Sequence, residues 1–206
     1  MDKPTYIIGI DEAGRGPIAG PVAVGGASIQ ADIFNKEGKK MFKGIKDSKK
    51  LTLQQREKWF EKMKEWKKEG KINFTVSYES SLTIDRIGIV KSITRALGSS
   101  IKKLNIKPSD ALVLLDGGLK APKEYKNQKT IIRGDEKEPI IALASIAAKV
   151  LRDREMVKLG KKFPQYGFEA HKGYGTKSHY ENLEKHGPFS LHRKSFLKSF
   201  FENEEI

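Results

Sequence analysis

Two apolar segments of strand length in this sequence each end in a carboxylate, and this pattern limits the folds that the chain can adopt. Residues 5–10 are largely β-branched and apolar and lead directly into Asp11 and Glu12, while residues 111–115 form a continuous apolar run that leads into Asp116. Short apolar runs without polar alternation are typical of strands that are buried on both faces of a sheet. We therefore predict interior strands of an α/β domain, with acidic side chains where the strands end.

The rest of the chain alternates between strand and helix patterns. Glycines and prolines between residues 14 and 21 exclude a helix there and predict a turn whose backbone can approach a ligand closely. Apolar residues spaced by three or four positions over residues 87–104 predict a helix that packs on the sheet. The remaining predictions are strands over residues 22–29, 72–78 and 130–132, a helix that starts near Leu53 with Thr52 as N-cap, and a helix that Pro139 opens.

The charge of the chain indicates an acidic partner. The 206 residues include 40 Lys or Arg and 26 Asp or Glu, which gives a net charge of +14. The basic residues are concentrated in residues 35–71 and 149–198, as expected for a protein that binds a nucleic-acid backbone. Cysteine is absent, which excludes disulfides and cysteine zinc sites. Because the sequence shows no signal peptide and no long apolar stretch, we expect a cytoplasmic protein that is not attached to a membrane.

Four carboxylates, Asp11, Glu12, Asp116 and Asp135, are the candidate metal ligands. Each stands at a predicted strand end or just after one, and binding sites in open α/β sheets assemble at the carboxyl ends of strands. Clustered carboxylates repel one another unless a cation neutralises them, and a hard ion such as Mg²⁺ or Mn²⁺ prefers oxygen ligands. Two such ions would activate a water and stabilise the leaving oxygen of a phosphodiester. For any one of these carboxylates alone, capping of a turn or helix is an equally good explanation.

Two other patterns give weaker indications of a site. Residues 14–19 have the glycine spacing of a dinucleotide-binding loop, but they lead into a strand instead of a helix, and the preceding carboxylates would repel a pyrophosphate. The four histidines lack the helical spacing of a zinc site, so we expect solvated or phosphate-facing imidazoles. Tyr174 lies between two glycines, and its ring is predicted either to stack on a sugar or base or to be buried.

Several motifs, taken in order along the chain, resemble those of the bacterial ribonuclease HII family. They are GIDEAGRGP at residues 9–17, DSKKL at 47–51, LDG at 115–117, RGD at 133–135, ASIAAKV at 144–150, HKGYGT at 171–176 and HRKSF at 192–196. The resemblance covers residues 6–196, and its first motif and the motif around Tyr174 are the most specific. The related type, ribonuclease HIII, lacks this tyrosine and carries an additional amino-terminal domain, so Tyr174 favours type HII.

The resemblance implies an α/β fold of the ribonuclease H type, with a mixed central sheet, and an endonuclease that cuts the RNA strand of RNA/DNA hybrids. It also implies incision on the 5′ side of single ribonucleotides in duplex DNA, as needed for ribonucleotide removal, with 3′-hydroxyl and 5′-phosphate ends. In this family the positions that match Asp11, Glu12, Asp116 and Asp135 hold two metal ions, Mg²⁺ or Mn²⁺. The backbone of Gly14, Arg15 and Gly16 and the hydroxyl of Tyr174 would recognise the 2′-hydroxyl, which alone separates RNA from DNA locally.

Further contacts and partners follow from the same resemblance. The residues expected to contact phosphate are Lys49 and, as weaker candidates, Arg15, Lys149, Lys172, His192 and Arg193, for which a solvated charge is the alternative. We expect a monomer in which residues 1–157 form the catalytic domain and residues 158–206 form a small helical subdomain that carries Tyr174 and clamps the substrate. Residues 194–201 also resemble a sliding-clamp peptide, with Lys194 where a Gln is expected, so a clamp is an alternative partner.

Two other functions compete with this interpretation. A basic protein could bind hybrids without cleaving them, with carboxylates that are only structural; it would bind equally well with and without Mg²⁺ and cut nothing. A metal nuclease that ignores the sugar would cut an all-DNA duplex at comparable rates. A metal titration and an all-DNA substrate therefore distinguish the three functions.

Overall fold

The computed structural model describes residues 4–45 and 51–198. The strands in this part of the chain are β1 (Tyr6–Ala13), β2 (Val22–Gln30), β3 (Ile72–Glu79), β4 (Ala111–Asp116) and β5 (Gln128–Ile131). The α-helices are α1 (Ala31–Met41), α2 (Leu53–Lys68), α3 (Ser81–Ile87), α4 (Ile89–Lys103), α5 (Gly134–Lys137), α6 (Pro139–Lys162), α7 (Phe168–His171) and α8 (Lys177–His186). None of these helices combines the length and the apolar character that a membrane span requires.

The strands form one mixed sheet in the order β3-β2-β1-β4-β5, as the α/β prediction requires. The first three strands along this order pair antiparallel, while β1, β4 and β5 run parallel to one another. In the parallel pair at the centre, Ile10 of β1 lies opposite Leu115 of β4. The carboxyl ends of these two strands therefore lie side by side, and in each strand the residue after this pair is an aspartate, Asp11 or Asp116.

Helices cover both faces of the sheet. On one face, α4 packs its apolar stripe, including Ile93, Leu97 and Ile101, against the inner side chains of β1 and β4. On the other face, α6 packs against the sheet together with α2 and α1. The helix predicted from the periodicity of residues 87–104 is therefore α4, which packs on the sheet. It begins at Ile89 and not at Ile87, because Gly88, with a φ of +82°, separates α3 from α4.

Helix α6 lies unusually close to the central strands. A Cβ atom on Gly9 of β1 would be 2.3 Å from the carbonyl oxygen of Ile140, and one on Gly25 of β2 would be 2.2 Å from that of Ala144. The helix can approach this closely only because the strands carry no side chain at these two positions. Close contact of α6 with β1 brings the helix alongside the end of the strand that carries Asp11.

A third apolar cluster joins the C-terminal part of the chain to the turn between β1 and β2. Ile18 and Ala19 of this turn pack with Met156 near the end of α6, and Phe168 and Leu197 belong to the same cluster. Helix α6 continues without a break to Lys162, through the boundary that the sequence places between residues 157 and 158. The helix therefore contributes to both of the predicted domains. The division into two domains stays a prediction.

Local predictions differ from the structure in a few places. Thr52 caps α2 as predicted, in a capping box with Gln55. The last strand is β5 at Gln128–Ile131, two residues before its predicted start, and Asp135 lies in the short helix α5 instead of a loop. Helix α1 was not predicted, because Gln30 at its N-cap makes no side-chain cap and Gly38 weakens the helical pattern.

Candidate active site

Three carboxylates converge at the edge of the sheet where β1 and β4 end. Asp11 lies on β1, Asp116 is the last residue of β4, and Asp135 lies in α5. One oxygen atom of each lies within 4.8 Å of the others. Asp11 and Asp135 are buried and Asp116 is half-buried, so these negative charges repel one another with little screening from water.

The pKa of Asp11 is raised well above its usual value. Burial is the main cause, and the negative charges of Glu12 and Asp116 add to it, whereas hydrogen bonding to Ser145 and to the backbone of Glu12 opposes it. Asp11 Oδ1 accepts a 2.7 Å hydrogen bond from the Glu12 amide. Its Oδ2 is buried and accepts no hydrogen bond from the residues that the structure describes. A bound cation would both neutralise this carboxylate and occupy its remaining oxygen.

Asp116 connects two parts of the site. Its Oδ1 accepts a 2.6 Å hydrogen bond from the amide of Gly134, which fixes the turn before Asp135 against the end of β4. Arg133 before this glycine has a left-handed backbone with a φ of +55°. A side chain at Gly134 would clash with Ile141, since its Cβ would lie 2.6 Å from Cδ1. One oxygen of Asp116 thus caps a turn, as the structural alternative to metal binding proposed, but the carboxylate also belongs to the acidic cluster.

Glu12, the fourth predicted ligand, has a different partner. Its Oε1 forms a 2.8 Å ion pair with Nε of Arg15, and it is not one of the three carboxylates that converge within 4.8 Å. Glu12, Arg15 and Asp116 together line a groove of about 790 Å³ that continues along α4. The structure therefore places Glu12 at the edge of the cluster, where its charge still raises the pKa of Asp11.

The predicted sugar-contacting residues lie in two segments that are bonded to each other. Gly14 has a φ of +85°, and a Cβ on Gly16 would meet nothing within 4 Å, so the turn over residues 14–16 is tightly bent and open on one side. The amides of Ile18 and Ala19, just after this turn, donate hydrogen bonds of 2.9 and 3.2 Å to the carbonyl of Gly173. The turn is therefore held next to Tyr174.

The ring of Tyr174 is exposed, which excludes the buried alternative that the sequence left open. Its relative exposure is 42%. Two cations of α6 lie near the ring, with Lys149 Nζ 5.6 Å and Arg152 Cζ 6.0 Å from its centroid. The ring is thus available for stacking and is backed by positive charge.

Two of the predicted phosphate contacts are corrected by the structure. His192 and Arg193 are buried, with relative exposures of 1% and 0%, so neither side chain can reach a phosphate at the surface. Their polar atoms bond inside the protein: Arg193 donates to the carbonyls of Gly14 and Arg15. His192 and Arg193, the first two residues of the HRKSF motif, thus lie beneath the surface that they were expected to form.

Three histidines form a relay behind Tyr174, in which His179 and His192 are buried and His171 is half-buried. His179 bonds the carbonyl of Tyr174 through Nδ1 at 2.8 Å, and its Nε2 lies 3.2 Å from Nε2 of His192. The ring of His171 stacks on that of His179 with 4.2 Å between centroids. The expectation of solvated imidazoles is therefore wrong for His179 and His192, while His186 is exposed.

The three lysine candidates are in different situations. Lys149 is partly exposed and its Nζ pairs with Asp153 at 2.9 Å beside the Tyr174 ring. Lys172 lies in the loop just before Tyr174, and its Nζ bonds the carbonyl of Glu169. Lys49 lies outside the described residues. Sequence reasoning gave Arg152 no role of its own, because a buried arginine cannot be told from a surface arginine without the fold.

A five-stranded sheet in this order, with helices on both faces and carboxylates gathered at the ends of β1 and β4, defines a ribonuclease H-like nuclease. Solved structures share the fold: ribonuclease H2 from Pyrococcus horikoshii OT3 has a TM-score of 0.72 and 28% sequence identity over 97% of this chain and 99% of that chain. Ribonuclease HII from Archaeoglobus fulgidus, solved as a complex with PCNA, has a TM-score of 0.68 and 27% identity over 91% of this chain and 93% of that chain.

The chain belongs to the ribonuclease HII family, since the profile described as Ribonuclease HII matches residues 8–203. Ribonuclease HII from Caldicellulosiruptor bescii is 47% identical over 194 residues, which are 94% of this chain and 87% of that protein. Ribonuclease HII from Bacillus cereus strain B4264 is 41% identical over 192 residues, which are 93% of this chain and 69% of that protein. The protein is therefore an endonuclease of the ribonuclease H type, acting on RNA/DNA hybrids and dependent on divalent metal, and not a binder without turnover.

Proposed function

We propose that this enzyme also incises duplex DNA on the 5′ side of a single embedded ribonucleotide, by two-metal hydrolysis that leaves 3′-hydroxyl and 5′-phosphate ends. The observation that carries the proposal is the placement of the 14–16 turn. This turn follows the strand that holds Asp11, and the residues just after it, Ile18 and Ala19, are hydrogen-bonded through Gly173 to the loop with the exposed Tyr174. We infer from this placement that sugar recognition and the carboxylate cluster share one surface.

The carboxylate cluster fits a hard divalent ion, Mg²⁺ or Mn²⁺. Its donors are all oxygens, two of its three carboxylates are buried, and the Oδ2 atom of Asp11 lacks a hydrogen-bond partner within the described residues. We assign Asp11, Asp116 and Asp135 as ligands, joined by Glu12 once its ion pair with Arg15 opens. Two ions bound there would activate a water and stabilise charge on the leaving 3′ oxygen.

The 14–16 turn and Tyr174 are assigned to the 2′-hydroxyl and its sugar. Main-chain amides at a tight glycine turn can approach a sugar closely, and a phenol hydroxyl can bond the one oxygen that distinguishes RNA from DNA. The exposed ring of Tyr174 can stack on the neighbouring sugar at the same time. An enzyme that requires both contacts needs only one ribonucleotide, whatever the sugars on either side.

Basic side chains around the site are assigned to the phosphate backbone. Arg15, Lys149 and Lys172 lie at or beside the sugar-contacting segments, and Lys49 is kept as a candidate from the resemblance alone. Backbone contacts of this kind carry no sequence preference, so the enzyme should cleave at ribonucleotides in any sequence.

A sliding-clamp partner is the weaker part of the partner assignment. The relative from Archaeoglobus fulgidus was solved with PCNA, and residues 194–201 resemble a clamp peptide. Leu197 of that segment is fully buried in the third apolar cluster, so a clamp could take this side chain only after the segment detaches. Phe200 and Phe201 lie outside the described residues. We propose a monomeric enzyme whose essential partner is the nucleic acid.

An end-labelled DNA duplex with one ribonucleotide tests the proposal. With Mg²⁺ we expect a single cut on the 5′ side of the ribonucleotide, with a 3′-hydroxyl that a polymerase can extend. The all-DNA duplex should stay intact, and Asp135→Asn should reduce cleavage by at least about 100-fold. Comparable cutting of the all-DNA duplex would instead identify a nuclease that ignores the sugar.

A further inference from the structure

Two buried arginines lie beneath the surface assigned to the sugar. We propose that Arg152 and Arg193 are positioning residues that hold the 14–16 turn and the Tyr174 loop in one fixed arrangement and thereby set the preference for a ribonucleotide. This inference rests on the proposed sugar recognition and extends it to residues that never touch the substrate.

Arg193 holds the turn from below. Its guanidinium is fully buried and donates to three main-chain carbonyls: Nη2 to Gly14 at 2.7 Å, Nη1 to Arg15 at 2.9 Å and Nε to Gly20 at 3.0 Å. In a trans peptide the N–H points away from the C=O of the same unit. Because Arg193 binds the carbonyls of Gly14 and Arg15, the amides of Arg15 and Gly16 point to the side away from the guanidinium.

Arg152 connects the turn to the tyrosine loop. It is also fully buried, and it donates to the carbonyls of Pro21 at 2.9 Å and Lys172 at 3.1 Å, with Ala19 at 3.5 Å. It lies directly under Gly14, where a Cβ would be only 1.9 Å from its Nε. One guanidinium therefore touches the turn, the segment after the turn and the residue two before Tyr174.

The segment that carries Arg193 is itself fixed. Asp85 in α3 accepts hydrogen bonds of 2.9 Å from the amides of Lys194 and Ser195 and of 2.6 Å from the Ser195 hydroxyl. The Arg193 amide donates at 2.7 Å to the carbonyl of Ile18. The arginine is therefore held at both its main chain and its side chain.

Burying the two positive charges of Arg152 and Arg193 close together costs free energy, and the hydrogen bonds to main-chain carbonyls offset this cost. Burial, and then the charge of Arg152, lower the pKa of Arg193 to about 9, which still leaves it charged at neutral pH. A lysine would keep the charge but cannot reach three carbonyls with a planar fork. Loss of the fork would let the turn and the loop move independently, and a shift of about 1 Å in a positioned contact can cost about 100-fold in rate.

Lysine variants with a matched control test the inference. The variants are Arg152→Lys and Arg193→Lys. The control is Arg154→Lys, because Arg154 lies in α6 like Arg152 but is exposed and pairs with Glu57 of α2. Fluorescence anisotropy in EDTA gives the affinities for an all-DNA duplex and for the same duplex with one ribonucleotide, and cleavage with Mg²⁺ gives kcat/KM. We expect the two variants, but not the control, to lose at least about 10-fold in kcat/KM on the ribonucleotide duplex, with all-DNA affinity within about twofold of wild type.

A double mutant separates positioning from a general loss of stability. If Arg193 acts through the sugar-contacting residues, Tyr174→Phe and Arg193→Lys should together cost less than the product of their separate effects. The inference would be overturned, with the proposed sugar recognition intact, if the two substitutions multiplied in their effects on kcat/KM. The same would follow if both lysine variants preferred the ribonucleotide duplex as strongly as the wild type does. Equal cleavage of the two duplexes by the wild type would overturn the proposed sugar recognition and the inference with it.

Hydrogen exchange on the wild-type protein decides the matter if both variants fail to fold. The amides of residues 18–20 and 172–174 are hydrogen-bonded inside the protein. They should exchange with a common opening rate, because the same guanidinium groups hold both segments. Opening rates that differ by more than about 10-fold between the two segments would show that they move independently and would overturn the inference.

Discussion

At the scale of single residues, the site is dominated by the repulsion among Asp11, Asp116 and Asp135. Burial and neighbouring charges raise the pKa of Asp11, so its ionised form destabilises the metal-free protein at neutral pH. When a divalent ion is bound, the ionised carboxylates stabilise the folded protein instead, because the ion binds the carboxylates of the folded state only.

Asp11→Asn should therefore stabilise the protein without metal and remove the stabilisation by metal. We expect the melting temperature in EDTA to rise by a few degrees, and added Mn²⁺ to raise the melting temperature of the wild type but not of the variant. Glu184→Gln, which removes an exposed carboxylate on α8, is the charge-matched control and should change neither value. A lower melting temperature of Asp11→Asn in EDTA would contradict this account of the cluster.

The sequence predicts the candidate metal ligands better than the residues that support them. Asp11 and Asp116 could be found because apolar strand patterns end at both, and strand ends meet in α/β sheets. Arg152, Arg193 and His179 could not be assigned in this way, because the sequence does not show which polar residues become buried. Their partners are main-chain carbonyls, which leave no pattern in the side chains.

At the scale of secondary-structure elements, the contact of α6 with β1 and β2 positions the site. Its closeness depends on Gly9 and Gly25, whose missing side chains leave room for helix carbonyls. The Ala-rich composition predicted the helix after Pro139, but a glycine in a strand does not by itself show which element approaches it. Helix α1 was missed for a different reason, since Gln30 at its N-cap makes no side-chain cap and Gly38 weakens the helical pattern.

Gly9→Ala should separate α6 from β1. The new Cβ would meet main-chain atoms of Ile140, which cannot move without the helix, so we expect a loss of about 1–3 kcal/mol in the free energy of unfolding. The control is Gly98→Ala in α4, where the nearest atom outside the helix is 4.0 Å away and alanine should stabilise the helix by up to about 1 kcal/mol. Urea denaturation measures both, and equal stability of Gly9→Ala and wild type would refute the close approach.

The histidine relay gives the loop that carries Tyr174 a dependence on pH. The pKa of His179 and that of His192 are both lowered to about 4, chiefly by burial, and the charges of neighbouring histidines, including His171, contribute to this shift. Backbone bonds to Tyr174 and Phe189 oppose this shift. In the unfolded chain the pKa is about 6.5, so the unfolded state binds more protons between about pH 6.5 and pH 4.

Stability should therefore be complete above about pH 6.5 and decrease as the pH falls towards 4. We expect the free energy of unfolding to drop by on the order of 2 kcal/mol for each histidine between about pH 7 and pH 5. His179→Gln should flatten this slope, while His186→Gln, at an exposed position, should keep it. Urea titrations at several pH values that show the same slope in both variants would rule the relay out as the cause.

At the scale of the whole molecule, a chain with a net charge of +14 contains a cluster of three carboxylates. The excess of lysines and arginines attracts a duplex backbone, and the clustered carboxylates repel phosphates until divalent ions neutralise them. The resemblance implied the mixed sheet, and the structure confirms it. The division at residue 158 is less informative, because α6 and the third apolar cluster connect the two parts.

Affinity for an all-DNA duplex should depend strongly on salt. Release of counterions from several phosphates predicts at least about 50-fold weaker binding at about 200 mM salt than at about 50 mM. Anisotropy measurements in EDTA test this, with melting temperatures at both salt concentrations as the control for folding. Affinity that stays constant over this range would show that backbone contacts contribute little.

The central claim is that cleavage depends on the carboxylate cluster and on one 2′-hydroxyl together. The most direct test is kcat/KM with Mg²⁺ on two DNA duplexes of the same sequence that differ by a single 2′-oxygen. A site that bonds this hydroxyl should favour the ribonucleotide duplex by at least about 1,000-fold, and EDTA should abolish cleavage. A ratio near one, or cleavage that persists in EDTA, would contradict the account.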